Sequence, residues 1–421
     1  MGLTQFDIIL DNPHRSYFAG QTVSGKVVIS LDRPKRVQGI KLKLIGKAKT
    51  HWKESSGRST TTVSDEENYI DEKVYLFGYE ADGSESTLPG GNHNYTFYFQ
   101  LPEQIPSSFE SRYGTVKYYL AAVMSRSLKS NFTVKTLFTV NGIFDLNEEW
   151  GARHAGELSE QKQVCCLCCR SGPISLSLRI PRTGFVPGET VPFSAEIVNS
   201  SRRKIHSTTL ALIQNLTFRA GTHTKKKSVT IHVIQGPELL AGNEEVWTSN
   251  DRPSVPVGAN ETWRLPTQII RIPSVPPTRL GGCGIIETHY LIKIKLEIED
   301  ATSLRGYIPI LIGTIPLRNA LNLDTGVPVS SGNELLPPEP QTERRPSVSS
   351  SIPGYPDLPP PTYEEAVQSK QISDDNINIG DESDAENGRP PEYNAVAFGD
   401  PDRFVPKYVT YNSHLIQTTS A

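Results

Sequence analysis

The chain has 421 residues, with 43 Lys+Arg against 46 Asp+Glu and a formal net charge of −3. That length exceeds what one hydrophobic core usually covers and predicts two to three domains. The balanced charge excludes a global attraction to nucleic acid, and no stretch approaches the ~18 apolar residues of a membrane helix.

At the N-terminus, MGLTQFDIILDNPHRS has only a short apolar run, interrupted by Asp7 and Asp11, so no signal peptide is expected. Phe6 occupies the position where a myristoylation signal carries Ser or Thr, so Gly2 is not expected to be lipidated. The five cysteines, four of them in CCLCC (Cys165, Cys166, Cys168, Cys169) and one at Cys283, do not form a secreted disulfide framework. A cytoplasmic chain is expected, in which the sequons at Asn94, Asn131, Asn215 and Asn260 meet no glycosylation machinery.

Up to about residue 320 the pattern is that of strands. Period-two alternation and β-branched runs appear in VSGKVVISL, GIKLKLIG, HNYTFYFQL, VKYYLAAVM, FTVKTLFTV, ISLSLRI, VPFSAEIVN, TTLALIQNLTF, SVTIHVI and THYLIKIKLEI. Gly, Pro and Asn separate these runs, and 145–163 offers at most one helical turn. The expected class is all-β, built as sandwiches.

Along GIKLKLIGKAKT, a regular strand turns Lys41, Lys43, Lys47 and Lys49 to one face and Leu42, Leu44 and Ala48 to the other. Two readings of the lysines stand: a solvated sheet face, or a cradle for an acidic or phosphorylated tail of a membrane protein. Lys225-Lys226-Lys227 is a weaker candidate for acidic lipid heads.

The two halves repeat. Phe18-Ala19-Gly20-Gln21-Thr22-Val23 matches Val186-Pro187-Gly188-Glu189-Thr190-Val191, with a turn glycine at the same place. Leu42, Leu44 and Ile45 match Leu210, Leu212 and Ile213. Further on, Leu101-Pro102 matches Ile272-Pro273, and Tyr119-Leu120 matches Tyr290-Leu291. So long a repeat predicts a duplicated sandwich rather than a solenoid.

Between the halves, CCLCC leaves three readings open. It could be a structural connector, a site of reversible acylation that tethers the chain to membrane, or a metal or redox site completed by Cys283 or His154. Elsewhere there is no P-loop, GxSxG, HExxH or Rossmann fingerprint. The nine histidines are scattered, and Glu66-Glu67 and Glu148-Glu149 lie in polar sequence. The chain is expected to be no enzyme, with no cofactor and no assigned metal site.

Beyond residue 320, 14 of the 32 prolines fall in about a hundred residues, and Trp and Cys vanish. Such a segment cannot bury enough apolar area to offset its ordering entropy, so a disordered tail is expected. Its apolar island, Phe404–Val409, is read as a short strand or a docking segment. Within the tail, LPPPTYEEA carries Pro360-Pro361-Thr362-Tyr363 and GRPPEYNA carries Pro390-Pro391-Glu392-Tyr393, two PPxY elements. Consecutive prolines hold the backbone near polyproline II, which WW domains read while the tyrosine enters a neighbouring pocket. Ser347 follows Arg344-Arg345-Pro346, and Ser373 and Ser383 precede acidic residues, which makes all three candidate phosphorylation sites.

Phe18 to Ile29 approximates FxxGxxVxGxVxI, Gly172 to Glu189 reads GPISLSLRIPRTGFVPGE, and Tyr307 to Leu317 reads YIPILIGTIPL. In order and spacing these phrases resemble the alpha-arrestins, the arrestin-domain-containing proteins. The resemblance implies two arrestin-like immunoglobulin-type β-sandwiches in tandem, at 1–150 and 172–320, with a connector at 151–171 and the tail at 321–421. It also implies an adaptor that brings WW-containing HECT-type ubiquitin ligases to cytoplasmic regions of membrane proteins, for ubiquitination, endocytosis and endosomal sorting. Recruitment from cytoplasm to plasma membrane and endosomes would follow. The competing reading is a ligase-independent trafficking scaffold of the same fold. Thioredoxin binding, which in one member relies on a second-domain cysteine, is not carried over, because no cysteine lies between Cys169 and Cys283.

Overall fold

In the computed structural model, the described residues are 2–57, 59–78, 85–127, 129–164, 172–235, 261–318, 352, 354–355, 362–366 and 404–411, with backbone alone for 261–269. In chain order the first half holds β1 (Leu3–Leu10), β2 (Ser16–Phe18), β3 (Thr22–Leu31), β4 (Lys35–Val37), β5 (Gly39–Ser56), β6 (Ser59–Gly78), β7 (Ser86–Leu88), β8 (Gly91–Gln100), β9 (Phe109–Glu110), β10 (Gly114–Ser125) and β11 (Phe132–Asn141). One 3₁₀ turn, Trp150–Arg153, follows.

The second half holds β12 (Gly156–Gln163), β13 (Pro173–Ile180), β14 (Gly184–Phe185), β15 (Thr190–Asn199), β16 (Ile205–Ala220), β17 (His223–Gln235), β18 (Glu261–Arg271), β19 (Ile286–Ile298) and β20 (Leu304–Ile312). Sheet β1-β3-β8 faces sheet β2-β11-β10-β5-β6 in the first sandwich. Sheet β12-β13-β15-β18 faces β14-β20-β19-β16-β17 in the second. Apart from β12 in the second and β9 beside β10 in the first, the order is the same in both, down to a short parallel pair at one edge, β2 with β11 and β14 with β20. Residues 156–163, expected in the connector, form β12 instead and extend the second sandwich by pairing along β13.

Alternation builds both cores. Along β3, Val23, Val27 and Ile29 are fully buried, and along β5 Leu42, Leu44 and Ala48 are too; Ile174 and Leu176, Ile292 and Ile294 do the same in the second half. The repeated corner is the same device twice. Gly20 and Gly188 take φ of 80° and 92°, which disfavours any side chain. The Phe18 amide donates to Gln21 Oε1 at 2.8 Å, and the Val186 amide to Glu189 Oε2 at 2.9 Å. Leu101 N then donates to the Gln21 carbonyl, as Ile272 N does to the Glu189 carbonyl.

One equivalence shifts by a residue. Tyr118, not Tyr119, is the counterpart of Tyr290: each is buried and each donates its hydroxyl at 2.7 Å to a carbonyl of the proline-rich crossing, Pro106 and Pro276. A one-residue slip along a strand exchanges its faces, and the adjacent Tyr119 lies on the opposite face of β10.

The sandwiches meet in two places. At one, Phe218 on β16 is fully buried against the first core, 5.8 Å from the Tyr113 ring and 6.4 Å from Phe109. Thr50 Oγ1 donates to the Arg219 carbonyl, and Gly284 N donates to the Glu67 carboxylate. At the other, Phe18, Leu146, Ala152, Val186, Ile315 and Leu317 form a third apolar cluster. Removing a buried aromatic from such a seam leaves a cavity, so Phe218→Ala is expected to lower unfolding stability by about 3–5 kcal/mol in urea titration.

The tail departs from the expected disorder, while its apolar island Phe404–Val409 does enter a strand, in keeping with its sequence reading. Two of its segments are strands, β21 (Thr362–Glu365) and β22 (Lys407–Thr410), paired antiparallel. Ile352, Val409 and Tyr411 are buried in the third cluster, which repays the ordering entropy that composition alone argued against.

Candidate functional site

The junction between the sandwiches is a slot lined by short polar side chains, and β22 lies in it. Ser16, Ser108, Thr139, Asn141 and Thr314 are all buried at the ends of strands or in the crossings. A buried polar group must find a partner: Ser108 Oγ and Thr314 Oγ1 find theirs within the body, at Val140 N and at the Gly142 carbonyl and Phe144 N, while Ser16, Thr139 and Asn141 reach the tail. Lys407 N donates to Thr139 Oγ1 at 3.0 Å, and the Lys407 carbonyl accepts from Ser16 Oγ at 3.1 Å and Asn141 Nδ2 at 3.4 Å. Val409 N donates to Asn141 Oδ1 at 3.2 Å. The Asn141 amide thus offers a donor to residue 407 and an acceptor to residue 409, as a neighbouring peptide group in a β-ladder would.

Aromatic side chains anchor both ends. Tyr408 donates its hydroxyl to the Ser108 carbonyl at 2.9 Å, and Tyr411 to the Thr314 carbonyl at 2.8 Å. Tyr411 N donates to the Pro187 carbonyl at 2.9 Å, and a Cβ on Gly188 would lie 2.3 Å from the Tyr411 carbonyl oxygen. The corner glycine therefore serves both its own turn and the close approach of the tail. The slot touches both halves of the repeat, Phe18 from the first and Val186 from the second.

β21 is held more lightly. It pairs Thr362 with Thr410, Tyr363 with Val409, Glu364 with Tyr408 and Glu365 with Lys407. Ser274 Oγ donates to the Glu364 carbonyl at 2.8 Å, and Tyr363 packs half-buried against the third cluster, its ring 6.0 Å from His14. A third contact comes from Tyr355, which donates to Asp145 Oδ2 at 2.7 Å. That pair borders a cleft of about 410 Å³ lined by Asn147, Glu148, Arg153 and Arg318.

Tyr363, the tyrosine of the first PPxY element, thus sits in a strand; Pro360 and Pro361 lie outside the described residues, as do Pro390, Pro391 and Tyr393. The cysteines 165, 166, 168 and 169 and the serines 347, 373 and 383 also lie outside them. Lys41, Lys43, Lys47 and Lys49 share the outer face of β5, opposite buried Leu42, Leu44 and Ala48. The sheet adds lysines that the strand alone did not reveal: Lys73 stands opposite Lys43, and Lys117 opposite Lys47. The face is not purely basic, since Lys47 pairs with Glu66 at 3.0 Å and Lys117 with Glu110 at 2.9 Å. Cys283 is partly buried in the first core cluster, where burial pushes its thiol pKa up. Among the described residues, no group of three or more His, Cys, Asp or Glu could hold a metal, and no helix is long and apolar enough to cross a membrane.

Residues 6–147 match the arrestin (or S-antigen) N-terminal domain and residues 170–317 the arrestin (or S-antigen) C-terminal domain. Arrestin domain-containing protein 17 of Caenorhabditis elegans is 34% identical over 344 residues, covering 80% of this chain and 76% of its own. The chain belongs to the alpha-arrestin family. Human arrestin domain-containing protein 4 is 27% identical, over 85% of this alpha-arrestin and 79% of its own length. A Sus scrofa protein named thioredoxin-interacting protein is 23% identical, over 74% and 75%. Family membership supports a trafficking adaptor role, and arrestin proteins are generally non-catalytic adaptors.

Burial pushes the Tyr363 phenol up to about 12 from an ordinary 10, and raises Tyr408 and Tyr411 in the same direction. The docked state favours the neutral phenol, so its stabilisation is whole below pH 10 and is lost as pH rises through about 12. The phenolate absorbance difference between the parent and Tyr363→Phe is expected to titrate near 12; a midpoint near 10 would mean that Tyr363 is exposed.

Proposed function

We propose that this alpha-arrestin is an adaptor that recruits WW-domain HECT-type ubiquitin ligases to membrane-protein cargo, and so promotes its ubiquitination, endocytosis and endosomal sorting. The observation that carries this reading is the pair of PPxY elements, with Tyr363 and Tyr393 separated by 30 positions, behind a double arrestin sandwich. A WW groove reads the proline pair and the tyrosine, and tandem WW modules gain avidity when two such elements share one chain. Catalysis belongs to the ligase; the adaptor raises the local concentration of the transfer machinery around cargo lysines.

Lys41, Lys43 and Lys49, with Lys73 and Lys117 beside them, support a cargo face for an acidic or phosphorylated cytoplasmic segment. The adaptor works from the cytoplasm, joining plasma membrane and endosomes through its cargo. Acylation at Cys165, Cys166, Cys168 and Cys169 would strengthen that association, and phosphate on Ser347, Ser373 or Ser383 would tune it.

Tyr363→Ala with Tyr393→Ala is expected to abolish pulldown of a tandem WW module, and undiminished binding would rule the ligase mechanism out. Proximity labelling in cells reads the alternative. If a chain ending at residue 320 keeps the parent's coat and cargo neighbours, the molecule is a ligase-independent scaffold; loss of ligase and cargo ubiquitination together supports the adaptor.

A further inference from the structure

We propose that the junction slot is a peptide-binding site for an extended segment with aromatic residues at positions i and i+3, and that this chain's own tail, as its resident ligand, withholds Tyr363 from WW modules. The inference rests on the WW reading of the PPxY element and adds its regulation.

The slot is built for a strand of this kind. Asn141 addresses the backbone of residues 407 and 409, Thr139 and Ser16 address residue 407, and carbonyls of Ser108 and Thr314 receive the two tyrosine hydroxyls. Tyr408 and Tyr411 supply the i, i+3 pair, with exposures of 3% and 5%, comparable to those of core residues. The two sandwiches contribute to one site, with Ser16, Ser108, Thr139 and Asn141 from the first and Pro187, Ser274 and Thr314 from the second.

Docking and WW engagement make incompatible demands on the same residues. A WW module takes the proline pair as polyproline II and inserts the tyrosine ring into its own pocket. In the docked tail, Thr362 and Tyr363 are committed to a ladder with Thr410 and Val409, and the tyrosine ring packs against the third cluster. One face of the ring cannot serve two pockets. The apparent WW affinity of the first element is then its intrinsic affinity reduced by the fraction of tail that is released.

The hold is graded. β22 carries the buried anchors, whereas β21 is fixed through β22, the Ser274 bond and the long Arg271–Glu364 pair at 4.0 Å. Weakening β22 therefore releases β21 as well. Any partner segment that fills the slot in place of Lys407–Tyr411 would make Tyr363 available, so occupancy of the junction by another segment and ligase recruitment would be coupled by exclusion.

The test uses the full chain carrying Tyr393→Ala, so that the first element alone is read, titrated with an isolated WW module by calorimetry. Two release variants are compared with it, Tyr408→Ala/Tyr411→Ala and Val409→Asp. Val409 and Tyr411 help fill the third cluster, so some loss of thermal stability is expected, and the control is that each variant remains folded and unfolds cooperatively above the titration temperature. Both variants are expected to bind the module about tenfold more tightly or better. Equal affinity in all three chains overturns the proposal. A peptide of residues 355–370 separates this failure from that of the underlying reading. If the peptide binds and the chains do not differ, the masking is wrong and the WW reading stands. If neither peptide nor chains bind, the WW reading has failed and the proposal with it.

Discussion

Each sandwich leaves a corner, at Phe18 and at Val186, that its own core does not cover, and the two corners are buried against one another and against the returning tail. Burial of this third cluster constrains much else in the molecule. It requires a positive-φ glycine at residue 188, because a side chain there would strike the Tyr411 backbone. It also requires polar side chains at the strand ends, because the peptide groups of the tail arrive there with no sheet edge to receive them. Asn141 meets that requirement by standing in for a peptide unit.

The duplication explains why such a slot exists. Two copies of one sandwich, each with a Gly corner, a proline crossing and a buried tyrosine bonded to it, bring equivalent surfaces together at the seam. Contacts at the far end, around Phe218 and Gly284, hold the copies from a second direction. A segment bound at the junction therefore touches both copies at once, and its presence bears on how the two are joined. Residues 407–411 thus tie the packing of the tail to the packing of the two sandwiches.

The outer face of β5 is organised differently. The lysines of β5 stand on a pleated face whose register brings Lys73 and Lys117 beside them, with Glu66 and Glu110 close enough to offset part of the charge. It is a hydrated face of mixed sign, on which exposed ion pairs add little stability. It does not need the deep burial of the tail slot, where specificity comes from backbone bonding and aromatic fit.

Local pattern carried most of the architecture. Alternation along strands such as Val23–Leu31 and Gly39–Thr50 announces a sandwich face whatever the partner, since period two is set by the pleat itself. The repeated Gly corner is legible for the same reason: its conformation is decided within a few residues. The one-residue slip between Tyr118 and Tyr119, the addition of β12 to the second sandwich, and the lysines opposite Lys43 and Lys47 were not legible, because register belongs to pairs of strands distant in sequence. The tail is legible in part: its apolar island Phe404–Val409 reads as a short strand or docking segment and carries most of β22, but the place that receives it is not legible. Low hydrophobicity and many prolines argue for disorder when averaged over a hundred residues, yet Tyr408 and Tyr411 are buried against residues such as Ser108 and Thr314, 300 and 97 positions away. The amino-acid order alone determined which segments could be strands and where the two PPxY elements lie. Tertiary structure decided which of them are already occupied, because burial is a property of what the rest of the chain brings to the same place.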